Sequence, residues 1–311
     1  MTRPDSLIVL RAGRAEAGVA PAIGGSLTHF HWSDRSGTMP WLRATRMEDA
    51  DTGPADRLAC FPLVPFSNRI RKGRFTFGGR TIALPLNQLP QPHAEHGHGW
   101  QAVWTPVTRT DDTATIEYVH AADAWPFPYR AQQAVAITED DLRVTLSIEN
   151  TGTQTMPAGL GLHPYFPATP HCTLATAVDA MWATDVEVMP TALVAADPRF
   201  AAGDGLPLAT TPLDNAFTGW RRSATIRWPE RRARLVLEAD GPLGFLVVYS
   251  PPGEGYFCAE PVSHCTDAFN LAAQGRHDTG MLTLAPGDSI RATVRFRPTI
   301  DAHSWVYDHG V

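Results

Sequence analysis

The segment LRVTLSIE at residues 142–149 alternates apolar and polar side chains without a break. A second segment, IRATVRFR at residues 290–297, alternates in the same way. A period of two with one apolar face is typical of a strand that buries only one of its sides. Both segments are therefore predicted to be half-buried β-strands.

Turn-forming residues separate such segments. The tripeptides NTG at 150–152 and DGP at 240–242 follow strand-like runs and predict turns. The 25 glycines and 27 prolines are spread along the 311 residues, which suits many short connections, and no long window has helical periodicity with caps. We therefore predict an all-β fold, a large antiparallel β-sandwich that forms a single domain over residues 1–311.

Composition excludes several classes of protein. Hydrophobic residues make up 43% of the chain, enough for a core, yet no apolar run approaches the roughly 20 residues that span a bilayer. The apolar patch at residues 7–10 is too short for the core of a signal peptide, which argues against export. The net charge of −6, without a dominant basic patch, argues against nucleic acid as a partner.

The four cysteines, Cys60, Cys172, Cys258 and Cys265, form no CxxC pair and are few for this length. This usage predicts reduced thiols and a cytoplasmic protein. Cys258 and Cys265 flank Glu260, and we interpret them as small apolar filler near a site.

Two chemically reactive side chains each precede a proline. Glu260 precedes Pro261 after the apolar, strand-like run 245–257, and His163 precedes Pro164 within GLGLHPYF at 159–166. Proline biases its predecessor toward an extended conformation, so Glu260 is predicted to be fixed at a strand end, where side chains can meet a ligand. A carboxylate and an imidazole held in place can act as general base and general acid.

The neighbours of His163 leave two interpretations open. If residues 156–163 form one strand, His163 shares a face with Gly159 and Gly161. Glycines in a strand indicate either the close approach of a ligand or another backbone, or a bulge at a bend. His264, close to Glu260 in sequence, either tunes that carboxyl group or caps a loop.

Further candidate residues lie in loops. Arg69 ends a proline-punctuated loop and can present a planar fork of donors to hydroxyl groups, although a surface arginine is the simpler interpretation from position alone. The segment HGHGW at 96–100 supplies two imidazoles at most, so no zinc site is predicted. Trp100 and Trp104 either stack on a sugar ring or pack in the core. Asp214 and Asn215 fall in a predicted loop, where a turn is their default role.

Taken in order, these pieces resemble the aldose 1-epimerase (galactose mutarotase) family over about residues 7–298. The matching pieces are Asn68-Arg69-Ile70 with Gly73-Arg74-Phe75, His96-Gly97, His163-Pro164-Tyr165-Phe166, Leu213-Asp214, Glu260-Pro261 and Asp267-Ala268-Phe269-Asn270. The resemblance implies a galactose mutarotase-like supersandwich with a sugar in an open cleft. It also implies that Glu260 is the base and His163 is the acid.

By the same resemblance, Asn68, Arg69, His96 and Asp214 would bind sugar hydroxyls. Neither a cofactor nor a metal is expected, because only protons move in the reaction. His98 departs from the usual His-Gly pattern and is either a substitute ligand or a bystander. The expected partner is one small aldose, with neither membrane nor nucleic acid, and the chain is expected to be a monomer or a homodimer.

The implied reaction interconverts the α and β anomers of a free aldose such as galactose or glucose by opening and closing the ring. An imidazole and a carboxylate near their ordinary pKa values would suffice near neutral pH. One alternative is a hexose-phosphate mutarotase, in which Arg69, Arg71, Lys72 and Arg74 cradle the phosphate. A second alternative is a carbohydrate-binding protein without catalysis. A glycosidase is disfavoured, since it needs two placed carboxylates and the sequence offers one well-placed candidate.

Overall fold

The computed structural model describes residues 7–35, 37–46, 48–49 and 53–300. Within these ranges it contains 26 strands and one short α-helix, so the predicted all-β class is confirmed. Trp305 and Tyr307 lie outside the described residues, so the expectation that this C-terminal segment packs on the domain or on a neighbour stays a prediction.

The first thirteen strands are β1 (Ile8–Ala12), β2 (Ala15–Ala20), β3 (Ser26–Asp34), β4 (Gly37–Pro40), β5 (Cys60–Leu63), β6 (Arg69–Ile70), β7 (Arg74–Phe77), β8 (Arg80–Ala83), β9 (Ala94–Glu95), β10 (Thr105–Arg109), β11 (Thr113–His120), β12 (Tyr129–Ile137) and β13 (Leu142–Asn150). The remaining elements are β14 (Met156–Ala158), β15 (Gly161–Pro167), β16 (Thr173–Thr176), β17 (Ala180–Thr184), β18 (Pro190–Ala195), β19 (Leu206–Pro207), β20 (Leu213–Thr218), β21 (Ser223–Trp228), β22 (Ala233–Ala239), β23 (Phe245–Ser250), β24 (Tyr256–Val262), α1 (Ala268–Ala273), β25 (Leu282–Leu284) and β26 (Ser289–Ile300).

Two large antiparallel sheets dominate the molecule. The eleven-stranded sheet has the order β1-β2-β3-β5-β15-β24-β23-β20-β17-β18, with β4 added on β3. The nine-stranded sheet has the order β10-β11-β12-β13-β26-β22-β21-β16-β19. Three two-stranded ribbons, β14-β25, β6-β9 and β7-β8, complete the pairing of the described strands.

The two alternating segments are neighbours in the nine-stranded sheet. They form β13 and β26, whose register pairs Leu142 with Phe296 and Ile148 with Ile290. Leu142, Ile148 and Phe296 are fully buried, and burial of each such side chain contributes about 1.5–3 kcal/mol. The predicted turns at 150–152 and 240–242 follow β13 and β22.

Aromatic side chains join the two sheets. Phe166 of β15 stacks on Phe257 of β24 with ring centroids 5.4 Å apart, and it reaches Phe296 of β26 at 6.3 Å. All three rings are fully buried. The centre of the eleven-stranded sheet, where β15 and β24 lie side by side, is therefore anchored from beneath by the core.

Two local predictions were wrong, and one condition considered in the sequence analysis, a single strand over residues 156–163, is not met. The run 245–257 is two strands, β23 and β24, joined by a turn, so Glu260 lies inside β24 rather than at its end. Residues 156–163 are split between β14 and β15, which belong to different sheets. Residues 213–218 form β20 instead of a loop, because pairing with β23 overrides the local turn preference of Asp-Asn.

Two further observations concern the four cysteines and the search for a membrane-spanning helix. All four cysteines are free and buried, and burial raises the pKa of each thiol, to about 12 in the case of Cys265. This agrees with their interpretation as apolar filler. Across the described ranges, no helix has the length and apolar character needed to cross a membrane. The cytoplasmic location stays a prediction.

Candidate active site

His163 and Glu260 face each other across two adjacent central strands. The pairs Gly161 with Val262 and Tyr165 with Cys258 flank them and place His163 directly opposite Glu260. The distance between His163 Nε2 and Glu260 Oε1 is 3.4 Å. The sequence pair is thus brought together across nearly a hundred residues of chain.

The two prolines shape this part of the ladder. Pro164 and Pro261 have no N–H to donate, and prolines are uncommon in central strands for that reason. Between the two flanking pairs, the described part of the β15–β24 ladder has no registered pair. The strands therefore remain neighbours while their hydrogen bonding is interrupted where the two reactive side chains lie.

Burial shifts both protonation equilibria toward the neutral forms. The side chains of His163 and Glu260 are 9% and 3% exposed. Burial raises the pKa of Glu260 well above its ordinary value; the Asp214 carboxylate adds to this, and the Arg69 guanidinium opposes it. Burial also lowers the pKa of His163 to about 3. The expectation of near-ordinary pKa values was wrong, because burial shifts both groups toward their neutral forms.

Aromatic rings fix the imidazole. Phe61 of β5 stacks on His163 at 4.5 Å, and Tyr165 stacks on it at 4.7 Å. Trp100 stacks on Phe61 at 5.2 Å. The guanidinium of Arg43 lies 3.6 Å above the ring centre of Tyr165, in a cation–π contact. Since these rings pack on both His163 and one another, the imidazole has little freedom to turn.

Asn68 and His96 are held in a backbone conformation that residues other than glycine seldom adopt. Their φ angles are 54° and 60°, and such residues cost about 1–3 kcal/mol each. The backbone N–H of Asn68 donates to His96 Nδ1 at 3.1 Å, and the backbone N–H of His96 donates to the backbone carbonyl of Asn68 at 2.9 Å. Burial lowers the pKa of His96 well below its usual value, so the ring is neutral. Because Nδ1 accepts, the ring proton is on Nε2, which is left as a donor.

Arg69 is held by two carboxylates. Its Nε lies 2.6 Å from Glu95 Oε1, and its Nη2 lies 3.4 Å from Asp214 Oδ2. The side chain is 13% exposed, so the simpler interpretation as a surface arginine was wrong. Sequence reasoning missed Glu95, although an acidic residue directly before His96 was the available signal.

The structure distinguishes Asp214 from Asn215. Asp214 projects from β20 toward Arg69, and burial raises the pKa of its carboxyl group while Arg69 opposes the rise. The side-chain amide of Asn215 instead donates to the backbone carbonyl of Trp182 at 2.9 Å. Asp214, and not its neighbour, therefore belongs with the candidate site.

These groups line one cavity of about 320 Å³, here called the central cavity. All six site residues named from the sequence contribute to its wall: Asn68, Arg69, His96, His163, Asp214 and Glu260. The residues that sequence reasoning did not place there are Asp56, Phe61, Gln88, Gln91, Glu95, Val188, Val247, Tyr165, Tyr249 and Tyr256. Trp100 also lines the cavity, whereas Trp104 is a core residue whose indole N–H donates to the Gly99 carbonyl.

A family model described as aldose 1-epimerase matches residues 6–297. The chain belongs to the aldose 1-epimerase family. The uncharacterized protein YphB of Escherichia coli K12 is 33% identical over 282 residues, covering 88% of this chain and 92% of that protein. Galactose mutarotase of Mus musculus is 30% identical over 139 residues, 42% of this chain and 40% of that protein.

Solved structures agree with this family assignment. A crystal structure from Escherichia coli K12, provisionally classed as an aldose 1-epimerase, superposes with a TM-score of 0.83 at 29% identity, covering 94% of this chain and 99% of that one. A galactose mutarotase-like protein from Clostridium acetobutylicum superposes with a TM-score of 0.82 at 21% identity, covering 94% and 95% of the two chains, and supports the fold alone.

Two further histidines of this family member lie outside the wall of the central cavity, and only His264 supports the site. His264 Nδ1–H donates to the Cys265 carbonyl at 2.8 Å, and its Nε2 accepts from the Ser67 amide at 3.1 Å. It therefore caps the loop that carries Asn68, which was one of the two interpretations left open. His98 lies 2.8 Å from the Tyr129 hydroxyl and lines a different, smaller cavity, so it is a bystander to the central cavity.

The glycines beside His163 accommodate other parts of the protein. A Cβ on Gly159 would lie 2.1 Å from the His264 ring, and one on Gly161 would lie 2.6 Å from the Pro261 carbonyl oxygen. The close approach of another backbone is the correct interpretation at Gly161, whereas the group that approaches Gly159 is a side chain, which the sequence did not predict.

Two groups of side chains in the described residues could hold a metal ion. His163, Cys258 and Glu260 form one, and Glu16, His29 and His31 form the other, with ligand atoms within 4.8 Å of one another in each. The sequence predicted neither group. The first coincides with the candidate acid–base pair, and the second lies outside the central cavity.

Replacing His264 with phenylalanine tests the capping role. The ring shape is kept, but the buried Ser67 amide and the Cys265 carbonyl lose their partners, each at a cost of about 1–3 kcal/mol. We expect His264→Phe to lower the free energy of unfolding in chemical denaturation, with a surface control, His171→Phe, changing it by less than about 0.5 kcal/mol. An unchanged unfolding midpoint for His264→Phe would exclude the capping role.

Proposed function

We propose that this protein is an aldose 1-epimerase, a mutarotase that interconverts the α and β anomers of a free aldose by general acid–base ring opening and closure. The observation that carries the proposal is the 3.4 Å approach of His163 Nε2 to Glu260 Oε1 on the wall of the central cavity. One sugar is the partner, and the chain acts as a single domain. Whether it is a monomer or a homodimer stays a prediction.

The reaction conserves the proton count of the pair. In ring opening, the Glu260 carboxylate takes the proton of the anomeric hydroxyl while the His163 imidazolium gives its proton to the ring oxygen. The aldehyde carbon then rotates, and the ring closes on its other face as the two side chains exchange roles. One proton and zero net charge are on the pair before and after each step, so no unbalanced charge builds up on these two buried side chains.

Sugar binding prepares the pair for this reaction. Without ligand, burial favours the protonated carboxyl group and the neutral imidazole. Glu260 Oε2 is buried without a hydrogen-bond partner in the described residues, so a sugar hydroxyl that donates to it stabilises the carboxylate. The proton then moves across the 3.4 Å gap to His163. The same hydroxyl contacts that bind the sugar thereby create the base and the acid.

The remaining polar groups suit the other hydroxyls. Neutral His96 offers Nε2–H as a donor, Asp214 offers carboxylate acceptors, and Arg69 offers guanidinium donors. The two carboxylates that hold Arg69 leave it rigid, so little side-chain entropy is lost when a sugar binds.

The charge of the cavity wall favours a free sugar over a sugar phosphate. Asp56, Glu95 and Asp214 line it against a single lining cation, Arg69, within the part of the chain that the structure describes, and Glu260 adds negative charge only when it is ionised. That guanidinium is already paired with two of the carboxylates. The carboxylates of the cavity wall would therefore repel a phosphate dianion.

The other basic residues once considered for a phosphate cradle do not reach the central cavity. Arg71 lies 3.5 Å from Asp267 and 3.9 Å from Asp185, and neither Lys72 nor Arg74 is among the lining residues. The hexose-phosphate alternative thus lacks its expected cation cluster. The non-catalytic alternative is weaker too, because a binder gains nothing from burying a carboxyl group against an imidazole.

Glu260→Gln tests the carboxyl group directly. The substitution keeps the shape and removes the base, and a general acid–base partner typically supplies about 10²–10⁴-fold, or roughly 3–5 kcal/mol of barrier. We expect polarimetry on freshly dissolved α-D-glucose and α-D-galactose to show turnover at least about 100-fold lower. Glu254→Gln, an exposed residue in the turn before β24, is the matched control. Normal turnover of folded Glu260→Gln would remove Glu260 from the mechanism, and sugar binding without turnover in the unmodified protein would favour the binder.

The pH dependence of kcat/KM reports the free enzyme, in which the active pair carries one proton. A second proton enters only as the pH falls toward the lowered pKa of His163, about 3, so activity persists below the ordinary histidine pKa. The single proton is lost as the pH rises through the raised pKa of Glu260, so activity falls on the alkaline side. An acid limb near the ordinary histidine value of about 6.5 would contradict this assignment.

Glucose and glucose 6-phosphate separate the two mutarotase hypotheses. Like charge around the cavity predicts a kcat/KM for the phosphate at least about tenfold lower, equivalent to roughly 1.4 kcal/mol. The difference should shrink as salt screens the charges. Equal or higher turnover of the phosphate would favour the hexose-phosphate alternative.

A further inference from the structure

A second cluster of ionisable side chains lies on β2 and β3, away from the central cavity. Glu16 of β2 is paired in register with His31 of β3, and Gly18 is paired with His29. Glu16 Oε1 lies 3.2 Å from His29 Nε2 and 3.8 Å from His31 Nε2. The three ligand atoms all lie within 4.8 Å of one another.

A bulge and a glycine give the cluster its shape. The register shifts between Gly18 paired with His29 and Val19 paired with Leu27, which leaves Thr28 as the extra residue. A Cβ on Gly18 would lie 2.7 Å from His29 Cε1. Because glycine has no side chain, there is room at this position for the His29 imidazole. The rings of His29 and His31 are stacked, with centroids 4.9 Å apart and planes 24° apart. Both rings thus direct Nε2 toward the same carboxylate oxygen.

Contacts with neighbouring groups leave His29 Nε2 and Glu16 Oε1 available to bind a cation. Thr28 Oγ1 lies 2.9 Å from His29 Nδ1, and a proton on Nδ1 leaves the lone pair on Nε2. His29 Nε2 is buried and makes no hydrogen bond within the described ranges. Arg11 Nε donates to Glu16 Oε2 at 2.8 Å, so Oε1 remains for a further partner.

We propose that Glu16, His29 and His31 bind one divalent cation of the zinc class, with water in the remaining position. Tetrahedral zinc with bonds of about 2.0–2.1 Å separates its ligand atoms by roughly 3.4 Å. The distances from Glu16 Oε1 to the two Nε2 atoms, 3.2 Å and 3.8 Å, are close to this value. Two imidazoles and one carboxylate favour zinc over magnesium or calcium, which prefer oxygen ligands. The three side chains are 20–28% exposed, so a cation reaches them from solvent.

The cation would connect two strands near one edge of the eleven-stranded sheet. Binding to the folded state alone stabilises it by mass action, so the ion would raise the unfolding temperature. This site is independent of the mutarotase proposal, since none of its ligands lines the central cavity. The other cluster is a poorer zinc site, because burial raises the pKa of the Cys258 thiol well above its ordinary value and opposes the thiolate.

The test is a Zn²⁺ titration of the chelator-treated, full-length protein by calorimetry, with Mg²⁺ as the comparison ion. We expect one equivalent of Zn²⁺ to bind with a dissociation constant of about 1 μM or tighter, together with a higher unfolding temperature. Glu16→Gln and His31→Gln should each weaken binding at least about tenfold. His171→Gln, which alters a surface histidine outside the cluster, should leave binding unchanged.

Three results of these titrations would overturn the zinc-site proposal. Absence of Zn²⁺ binding, or unchanged affinity in Glu16→Gln, would overturn the proposal. Loss of binding in Glu260→Gln with retention in Glu16→Gln would overturn it as well, because the ion would then occupy the acid–base pair. Circular dichroism establishes that each variant is folded, and Glu16→Gln keeps the side-chain shape if the histidine variants prove unstable.

Discussion

The close approach of one buried imidazole and one buried carboxyl group on the wall of the central cavity is the constraint on which the site depends. Charge on either group alone is costly there, and burial pushes both toward neutrality. On the proposed mechanism the pair avoids this cost by carrying one proton, which passes between two atoms 3.4 Å apart. Moving that proton changes which group is acid and which is base without changing the net charge, and this property fits a reaction that must run in both directions.

Much of the surrounding structure maintains that approach. Two prolines interrupt the ladder at the pair, while the flanking registered residues keep β15 and β24 together. Stacked rings on one side hold His163, and beneath the sheet the Phe166 and Phe257 rings anchor the strands to the core. On the other side, His264 holds the loop that presents Asn68 and Arg69. Hydrogen bonds from the neighbouring loops thus hold Asn68 and His96 in their strained backbone conformations.

The sequence predicted most of this arrangement where the signal was local or ordered along the chain. Alternation identified β13 and β26, and the His-Pro and Glu-Pro pairs identified His163 and Glu260. Prediction from the sequence failed where long-range strand pairing decides the local structure. Asp214 and Asn215 favour a turn locally, yet they lie in β20 because this strand pairs with β23. The turn between β23 and β24 had a signal, the PPG at residues 251–253, which the apolar character of the run obscured.

Glu95 and Phe61 show a further limit of sequence reasoning. Glu95 meets Arg69 because β6 pairs with β9, and Phe61 meets His163 because β5 pairs with β15. Neither pairing leaves a mark in the spacing of the residues, since register depends on the whole sheet. The Glu16–His29–His31 cluster was missed for the same reason, because its carboxylate and imidazoles come from different strands.

Nitrogen-15 NMR of the His163 ring in the sugar-free protein tests the shared-proton account most directly, with His163→Gln supplying the assignment. The account predicts the chemical shifts of a neutral imidazole at pH 7, unchanged as the pH is lowered to about 5, well below the ordinary histidine pKa of about 6.5. An imidazolium at pH 7, or a titration centred near that ordinary value, would contradict it.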